Sequence, residues 1–403
     1  MMAEVISSLW IIEPRDPLIV RDGRPFTTTP GARAKTLLFP FPSTTTGALR
    51  TRAGTWEVGK TDANRAMSAR VRQMGVRGPL LAEVGDDNHL LHLLAPAPAD
   101  AVLFKPDEDK PKSEQERLRR MVPLEHAREE HTDLQHAADE AHHLSLVGLS
   151  NPDQRKPDRM PPFWFWTNFE SWLSQPDAGE INPETLGIQA LAMNQRTHVS
   201  MKLGTRVGED GMLFETQGLE FSYSDKEGLR RLALVVAADI PASESFTIHE
   251  GLSVMGGERR TVMWRKSDCH LPSCCDTIVK AILEQRACRL VLLTPAYFEH
   301  GFYPTWLPTH SGVTPSLHGI AIQKPMVVSG WDLEVRQPKP IRRLAPAGTV
   351  LFLKLPDRVT PDQIKAWITA TWMQCMGDDE QSRRDGFGLA VLGVWDGKPQ
   401  VIA

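Results

Sequence analysis

Short apolar runs broken by turn-forming residues dominate the hydrophobic pattern of this chain, and few stretches carry helical periodicity. Residues 5–12 (VISSLWII) predict a first strand that ends in a Pro-broken, charged loop. Residues 43–53 follow as a helix, with Ser43 the expected N-cap after Pro42 and threonines in the first turn. Residues 80–94 read LLAEV-GDDN-HLLHLL, two apolar runs around a tight turn, hence a hairpin. Residues 197–203 alternate after Arg196, and the glycines of 208–211 are expected to turn the chain back into 212–223. The result is a long hairpin with Arg196, His198, Lys202 and Arg206 on its outgoing arm. Further strands are expected at 231–240, 289–294, 350–355 and 386–395. Helices are expected at 274–285 and 361–376, the second with proline at its first position. Helices placed between strands, with frequent hairpins, give an α+β class: antiparallel sheets with helices on one face. Periodicity does not separate one α+β topology from another.

At 403 residues the chain is long enough for two domains. No apolar run reaches the roughly 18–20 residues of a membrane-spanning helix. The start, MMAEVISSLW, lacks the positive charge and cleavage site of a secretory signal. Five cysteines, an odd number bunched in the C-terminal half, suit free thiols in a reducing cytoplasm. The net charge of −4 argues against coating nucleic acid by bulk positive charge. Residues 105–143 hold eleven acidic and seven basic residues, so this segment alone accounts for the deficit and the remainder is neutral. Residues 105–158 read as a charged insertion with helical patches. Arginines cluster elsewhere, so a local nucleic-acid groove is compatible with the total.

The first-strand exit, EPRDPLIVRDGRPF at 13–26, is the most informative stretch. It carries Arg15, Arg21 and Arg24, Asp16 and Asp22, and Gly23. Cationic forks beside a glycine suit a phosphate-bearing partner, because guanidinium is bidentate and glycine lets backbone approach a ligand. The same residues also read as a surface turn with internal Arg–Asp pairs. At 43–50, hydroxyls, free N–H groups and Arg50 gather at a helix start, which attracts phosphate or is simply well capped. NQRTH at 194–198 offers amides, a guanidinium and an imidazole for base edges, phosphate and stacking, or forms a polar edge strand. MGGERR at 255–260 joins two glycines to a Glu-Arg-Arg run.

The 13–26 loop, FPSTTTGALR at 41–50, MNQRTHVSMKLGTRVGEDGMLF at 193–214, MGGERR, and SGWDL at 329–333 with PAGTVLF at 346–352 occur in this order. In that order they resemble the third-subunit family of the type III-B CRISPR Cmr effector complex. These are repeat-associated (RAMP) RNA-binding proteins similar to the fifth-class Cas subunits. The resemblance implies two ferredoxin-like (RRM-type) domains, set here at 1–245 and 246–403 with a boundary near 241–245. It implies an insertion at about 105–158 and a β-hairpin thumb at about 194–223. It also implies a non-catalytic subunit that caps the 5′ repeat-derived tag of CRISPR RNA. Such a subunit would anchor the large polymerase/cyclase-like subunit, adjoin a backbone RAMP subunit and meet target RNA indirectly. The expected RNA path is lined by Arg21, Arg24, Ser43, Thr44, Thr45, Thr46, Arg50, Asn194, Gln195, Arg196, His198, Lys202, Gly256, Gly257, Glu258, Arg259, Arg260 and Lys324. Arg206 and Arg259 stand where small residues are common in the family. The GFG at 386–388, after Arg383 and Arg384, matches a glycine-rich segment of the superfamily or a strand-start turn. FWFW at 163–166 with Trp172 reads as domain core or as a docking surface.

Other patterns point to enzymes and are discounted. GDD occurs at 85–87 and 377–379, but two-metal chemistry needs converging carboxylates, and Asp and Gly are also turn formers. His136, Glu140 and His143 have helical spacing without HExxH, within a charged insertion. Cys269-His270 with Cys274-Cys275 lacks a second ligand pair. No metal or cofactor is expected. The alternative reading is a metal-independent RAMP endoribonuclease processing CRISPR precursor RNA, with His198 and Lys202 on one strand face and Lys324 nearby.

Overall fold

The computed structural model describes residues 5–21, 33–34, 36–106, 117–125, 144–151, 153–176, 181–301, 303–329, 331–332, 337–338 and 340–401. It has the expected α+β class: antiparallel sheets and few helices. The chain forms two compact units that interleave. The first comprises 1–92, 190–270 and 327–343; the second comprises 93–189, 271–326 and 344–403. The strands at 251–267 therefore belong with the first strand, not with the C-terminal half as a boundary near 241–245 would have it.

In the first unit the strand Val5–Pro14 is central. It pairs antiparallel with Gly228–Pro241 on one side and with Arg260–Ser267 on the other. Gly75–Val84 extends the sheet beyond Gly228–Pro241, and Gly251–Met255 forms the opposite edge. Leu9, Trp10, Ile11 and Ile12 alternate between the two faces of the sheet and are all buried, so both faces are covered along this stretch. Each such side chain contributes about 1.5–3 kcal/mol through burial. The helix Pro42–Ala53 packs against Gly75–Val84 and Gly251–Met255. Arg52, in its last turn, donates to the carbonyls of His249, Glu250 and Leu252.

Where the first strand ends, the carboxylate of Glu13 is only 6 % exposed. It accepts from Arg231 Nε at 3.0 Å and from Arg265 Nη1 at 2.6 Å, with Arg15 Nη2 at 3.2 Å. Arg231 also donates to Asn88 Oδ1 (2.9 Å) and the Gly85 carbonyl (3.3 Å). One carboxylate thus ties together three neighbouring strands and the Gly85–Asn88 hairpin turn. Burial pushes the Glu13 pKa up, but the hydrogen bonds and charges of the arginines outweigh it and hold it below its ordinary 4.5.

The long hairpin is present as Ala192–Met201 and Gly208–Glu220. Its turn comes earlier than expected: Lys202 N donates to the Val207 carbonyl (3.0 Å), so 208–211 already belong to the returning strand. The described residues of the insertion form short strands (Leu118–Arg120, Val122–Pro123, Val147–Gly148) and no helix, while 107–116 and 126–143, with the histidine run, lie outside the described residues.

The second unit is built on a five-stranded antiparallel sheet. Ala287–Leu292 is central, flanked by Val350–Lys354 and Leu389–Val394, with Ser316–Ala321 and Gln374–Cys375 at the edges. The helices Trp166–Ser174, Asp276–Gln285 and Pro361–Thr371 pack on the closing strand. Thr360 and Gln363 close a capping box at the third helix. That helix stops at Thr371 rather than 376, because Met373 turns left-handed (φ 54°) and the chain pairs as a strand. Within this unit Arg289 is fully buried on the central strand. It donates to Asp100 Oδ2 at 2.5 Å, to the Trp172 carbonyl at 2.6 Å and to the Val394 carbonyl at 2.9 Å. Trp172 Nε1 donates to the other oxygen of Asp100 at 3.1 Å. Trp164, Phe169 and Trp172 are buried core, with Trp164 and Trp172 edge-to-face at 5.8 Å, while Phe163, Phe165 and Trp166 are half-buried.

Two stability predictions follow from these ion pairs. Arg289→Met leaves the Asp100 carboxylate sealed in without a cation and is expected to cost about 3–5 kcal/mol. Joined with Asp100→Leu it should cost clearly less than the sum, which urea unfolding in a double-mutant cycle reads directly. For Glu13, the folded pKa lies below the unfolded one, so its contribution is complete above about 4.5 and is lost as pH falls through the folded value. Wild type should therefore exceed Glu13→Gln by about 1–3 kcal/mol at neutral pH. The gap should close as unfolding is repeated at successively lower pH below that value.

Candidate nucleic-acid interface

Three of the motifs meet at the first-strand exit. Beyond Pro14 the Arg15 N–H donates to the Thr261 carbonyl (2.9 Å), and Asp16 Oδ2 accepts from Thr261 N (3.0 Å). Leu18 then exchanges two backbone hydrogen bonds with Leu219 on the returning arm of the long hairpin (2.9 and 2.8 Å). On the other side the Ile19 carbonyl accepts from Gly257 N at 2.7 Å. The segment is a backbone seam between the hairpin and the glycine turn. Close approach explains two glycines. A Cβ at Gly256 (φ +75°) would sit 2.4 Å from the Ile19 carbonyl oxygen, and one at Gly218 would sit 2.7 Å from Pro17 Cβ.

Glu258 and Arg259 are both left-handed (φ 56° and 50°) and exposed, in the four-residue loop between the paired Met255 and Arg260. Arg21 Nη2 donates to Glu258 Oε1 at 2.5 Å, so Glu258 holds an arginine of the exit loop. Asp16 is held below the ordinary carboxylate range, first by the Thr261 N–H and then by the charges of Arg260 and Arg196. Its carboxylate thus senses one arginine from the turn and one from the hairpin. On the hairpin a ladder runs from Glu220 Oε1 to Asn194 Nδ2 (2.7 Å), and from Asn194 Oδ1 to Arg196 Nε (2.9 Å). Gln195 Nε2 donates to Glu215 (3.0 Å) on the opposite face. His198 lies 2.9 Å from Thr216 Oγ1 and stacks on Phe214 with centroids 5.0 Å apart.

The other expected residues divide. Phe41, not Ser43, is the N-cap: proline takes the first helical position, and the residue before it is held extended (φ −67°, ψ 150°). Ser43 and Thr44 reach the surface, whereas Thr45 and Thr46 are buried, Thr45 donating to the Pro42 carbonyl at 3.0 Å. Arg50 is buried and donates to the Met74 carbonyl at 2.7 Å, tying the helix to the strand that follows. Lys202 is exposed at the hairpin tip. Strand pairing is irregular between Val199 and Met201, so His198 and Lys202 do not keep the alternation that would put them on one face. Arg24 lies outside the described residues, and Lys324 is an exposed loop residue of the second unit. The Glu13 arginines at 231 and 265 were not anticipated. Their partner is more than two hundred residues away, and only the strand order brings them together.

The remaining motifs have structural roles. In the first GDD, Asp87 accepts from His89 N (3.1 Å) within its own turn. In the second, Asp378 accepts from the backbone N–H of Glu299, Thr305 and Trp306 at 2.8–2.9 Å. Gly386 accepts from Thr294 Oγ1 (2.7 Å), which itself accepts from Leu389 N (2.8 Å), so GFG opens the closing strand. The five cysteines are free thiols, and burial pushes Cys288 up to about 12. Among the described residues no three His, Cys, Asp or Glu side chains gather in a metal-sized group, and no helix is long and apolar enough to cross a membrane.

A comparison with curated protein sequences gives no match. Among solved structures, a chain of the type III-B Cmr-beta complex bound to cognate target RNA and AMPPnP is similar at 14% identity with a TM-score of 0.45. The match covers 85% of this chain and 86% of that one. A chain of the same complex bound to cognate target RNA gives the same identity and score, over 95% of this chain and 96% of that one. The family model described as CRISPR-associated protein (Cas_Cmr3) matches residues 10–395, nearly the whole length, and the chain belongs to that family.

Proposed function

We propose that this chain is a non-catalytic RNA-binding subunit of a type III-B CRISPR effector complex. It holds the 5′ repeat-derived tag of the CRISPR RNA and anchors the large polymerase/cyclase-like subunit beside a backbone RAMP subunit in the cytoplasm. In this reading each unit is a ferredoxin-like domain and the 192–220 hairpin is a thumb. The observation that carries the reading is the seam at the first-strand exit. There Asp16 accepts from Thr261 N beside Arg260 and exposed Arg259 of the glycine turn, and the hairpin that carries Arg196 joins the same segment through Leu18 and Leu219. Arg21, Arg196, Arg259 and Arg260 outnumber Asp16 and Glu258 in this seam, which leaves a positive surplus. Glycines keep the backbone low, so an RNA phosphate chain could lie along it. Met193, Val199 and Leu213 are exposed on one face of the hairpin, a surface against which bases can lie.

Cleavage by attack of a 2′-hydroxyl needs a base and an acid around one phosphate. His198 is engaged by Thr216 and Phe214, and Lys202 sits past the strand irregularity, so neither supports that arrangement. The test combines gel shift and cleavage on tag-bearing CRISPR RNA with the large subunit present, with and without EDTA. Wild type should bind in a salt-dependent manner and leave the RNA intact. Arg259→Ala/Arg260→Ala and Arg196→Ala/His198→Ala should each bind roughly tenfold more weakly. Cleavage that persists in EDTA and disappears with His198→Ala would replace this reading with a processing ribonuclease.

A further inference from the structure

A second feature of the first unit begins at the same strand exit and runs along the sheet face that carries Glu13. Strand register places Glu13 opposite Met263, Met263 opposite Leu252, and Thr261 opposite Val254. Side chains of one strand alternate between faces, so Arg265 shares the face of Met263. Arg231 reaches the same carboxylate from the neighbouring strand. The face therefore presents three guanidiniums around one carboxylate, followed toward the sheet edge by an aliphatic strip. Leu252 is 61% and Val254 48% exposed, unusual for apolar side chains set in a row beside charge.

The arginines are not sealed in: their side chains are 42% (Arg15), 30% (Arg231) and 24% (Arg265) exposed. Their formal charge exceeds that of Glu13 by two. Arg231 spends further donors on Asn88 and Gly85, whereas the side-chain hydrogen bonds and ion pairs described for Arg15 and Arg265 run to Glu13. Each guanidinium has five N–H donors, so most of both forks remains for another acceptor. Asp87, on the adjoining turn, accepts from its own turn and does not neutralise them.

We infer that this strip binds one nucleotide unit of a single-stranded nucleic acid, with its backbone phosphate on Arg15 and Arg265 and its sugar and base over Met263, Leu252 and Val254. Glu13 is a positioning residue that splays the guanidiniums and does not touch the ligand. The inference rests on the RNA-binding reading and extends it from Arg15, in the 13–26 motif, to Met263, Arg265, Leu252 and Val254, which none of the sequence motifs includes. A purely apolar strip would suit a protein partner. The surplus of cationic forks at its end favours a phosphate, whose geometry they match bidentately.

The test measures binding of the full-length chain to a labelled single-stranded oligoribonucleotide of mixed sequence, across about 50–200 mM salt. Arg15→Gln/Arg265→Gln should weaken binding roughly tenfold and flatten the slope of log K against log salt by about 1.4, near 0.7 for each lost contact. Val254→Glu, an exposed change that leaves the Glu13 cluster intact, should also weaken binding even if the double variant folds poorly. Arg230→Gln, whose guanidinium is taken by Asp225 and Glu227, should match wild type. Wild-type affinity and slope in both Arg15→Gln/Arg265→Gln and Val254→Glu, with binding lost in Arg259→Ala/Arg260→Ala, would overturn this site and leave the seam standing. Salt-independent or absent binding by every protein would overturn both. Loss of poly-glutamate binding without loss of RNA binding would assign the strip to an acidic peptide and overturn the inference.

Discussion

The carboxylate of Glu13 is the constraint on which the first unit turns. Removing a carboxylate from water costs several kcal/mol, so it persists only if cations meet it with good geometry. Arg231 and Arg265 come from the two strands that flank the first one, and Arg15 from its own exit. Strand order, register and the direction in which the chain leaves the sheet are therefore all tied to one group. Because one negative charge requires three partners here, the requirement of folding leaves positive charge at the surface. In this place the stability of the sheet and its capacity for an anionic ligand have the same origin.

The second unit shows what the same chemistry does when no charge remains at the surface. Arg289 and Asp100 are both fully buried, one cation to one anion, with the other donors of Arg289 spent on the carbonyls of Trp172 and Val394. Such a pair fixes how the Trp172 helix meets the central strand and presents nothing to a ligand. The contrast between the sites lies in stoichiometry and exposure, not in residue type. Counting arginines in the sequence could not have separated them.

Much of the scaffold was legible. The first strand, the 80–94 hairpin, the long hairpin and the central strands of both units follow from short apolar runs set between turn formers. The chain's glycines were harder to place. Glycines at 204, 208 and 211 offered several sites for one turn, and strand pairing chose the earlier, which local composition does not encode. The helix cap failed for a local reason, since a proline at the first helical position displaces a serine from the capping role. Of the seam, the arginines and glycines were readable as motifs. Their convergence was not, because Leu18 meets Leu219, and Ile19 meets Gly257, across two hundred residues or more of chain. FWFW was ambiguous because buried and docking aromatics have the same composition; the fold buries Trp164 and Trp172 and leaves Phe163, Phe165 and Trp166 half-buried.

A net charge of −4 is compatible with a nucleic-acid surface because charge is segregated in this chain. Screening makes exposed charges further apart than about 8–10 Å nearly independent at ordinary ionic strength. The acidic excess lies in residues 105–143, and the remainder of the sequence, which includes 15–21, 194–198 and 256–260, is neutral. The local balance governs: at Glu13 three arginines face one carboxylate. The carboxylate lowers the local charge but fixes where the guanidiniums point. A bound phosphate therefore meets forks already oriented, and less side-chain entropy is lost on binding than with free surface arginines.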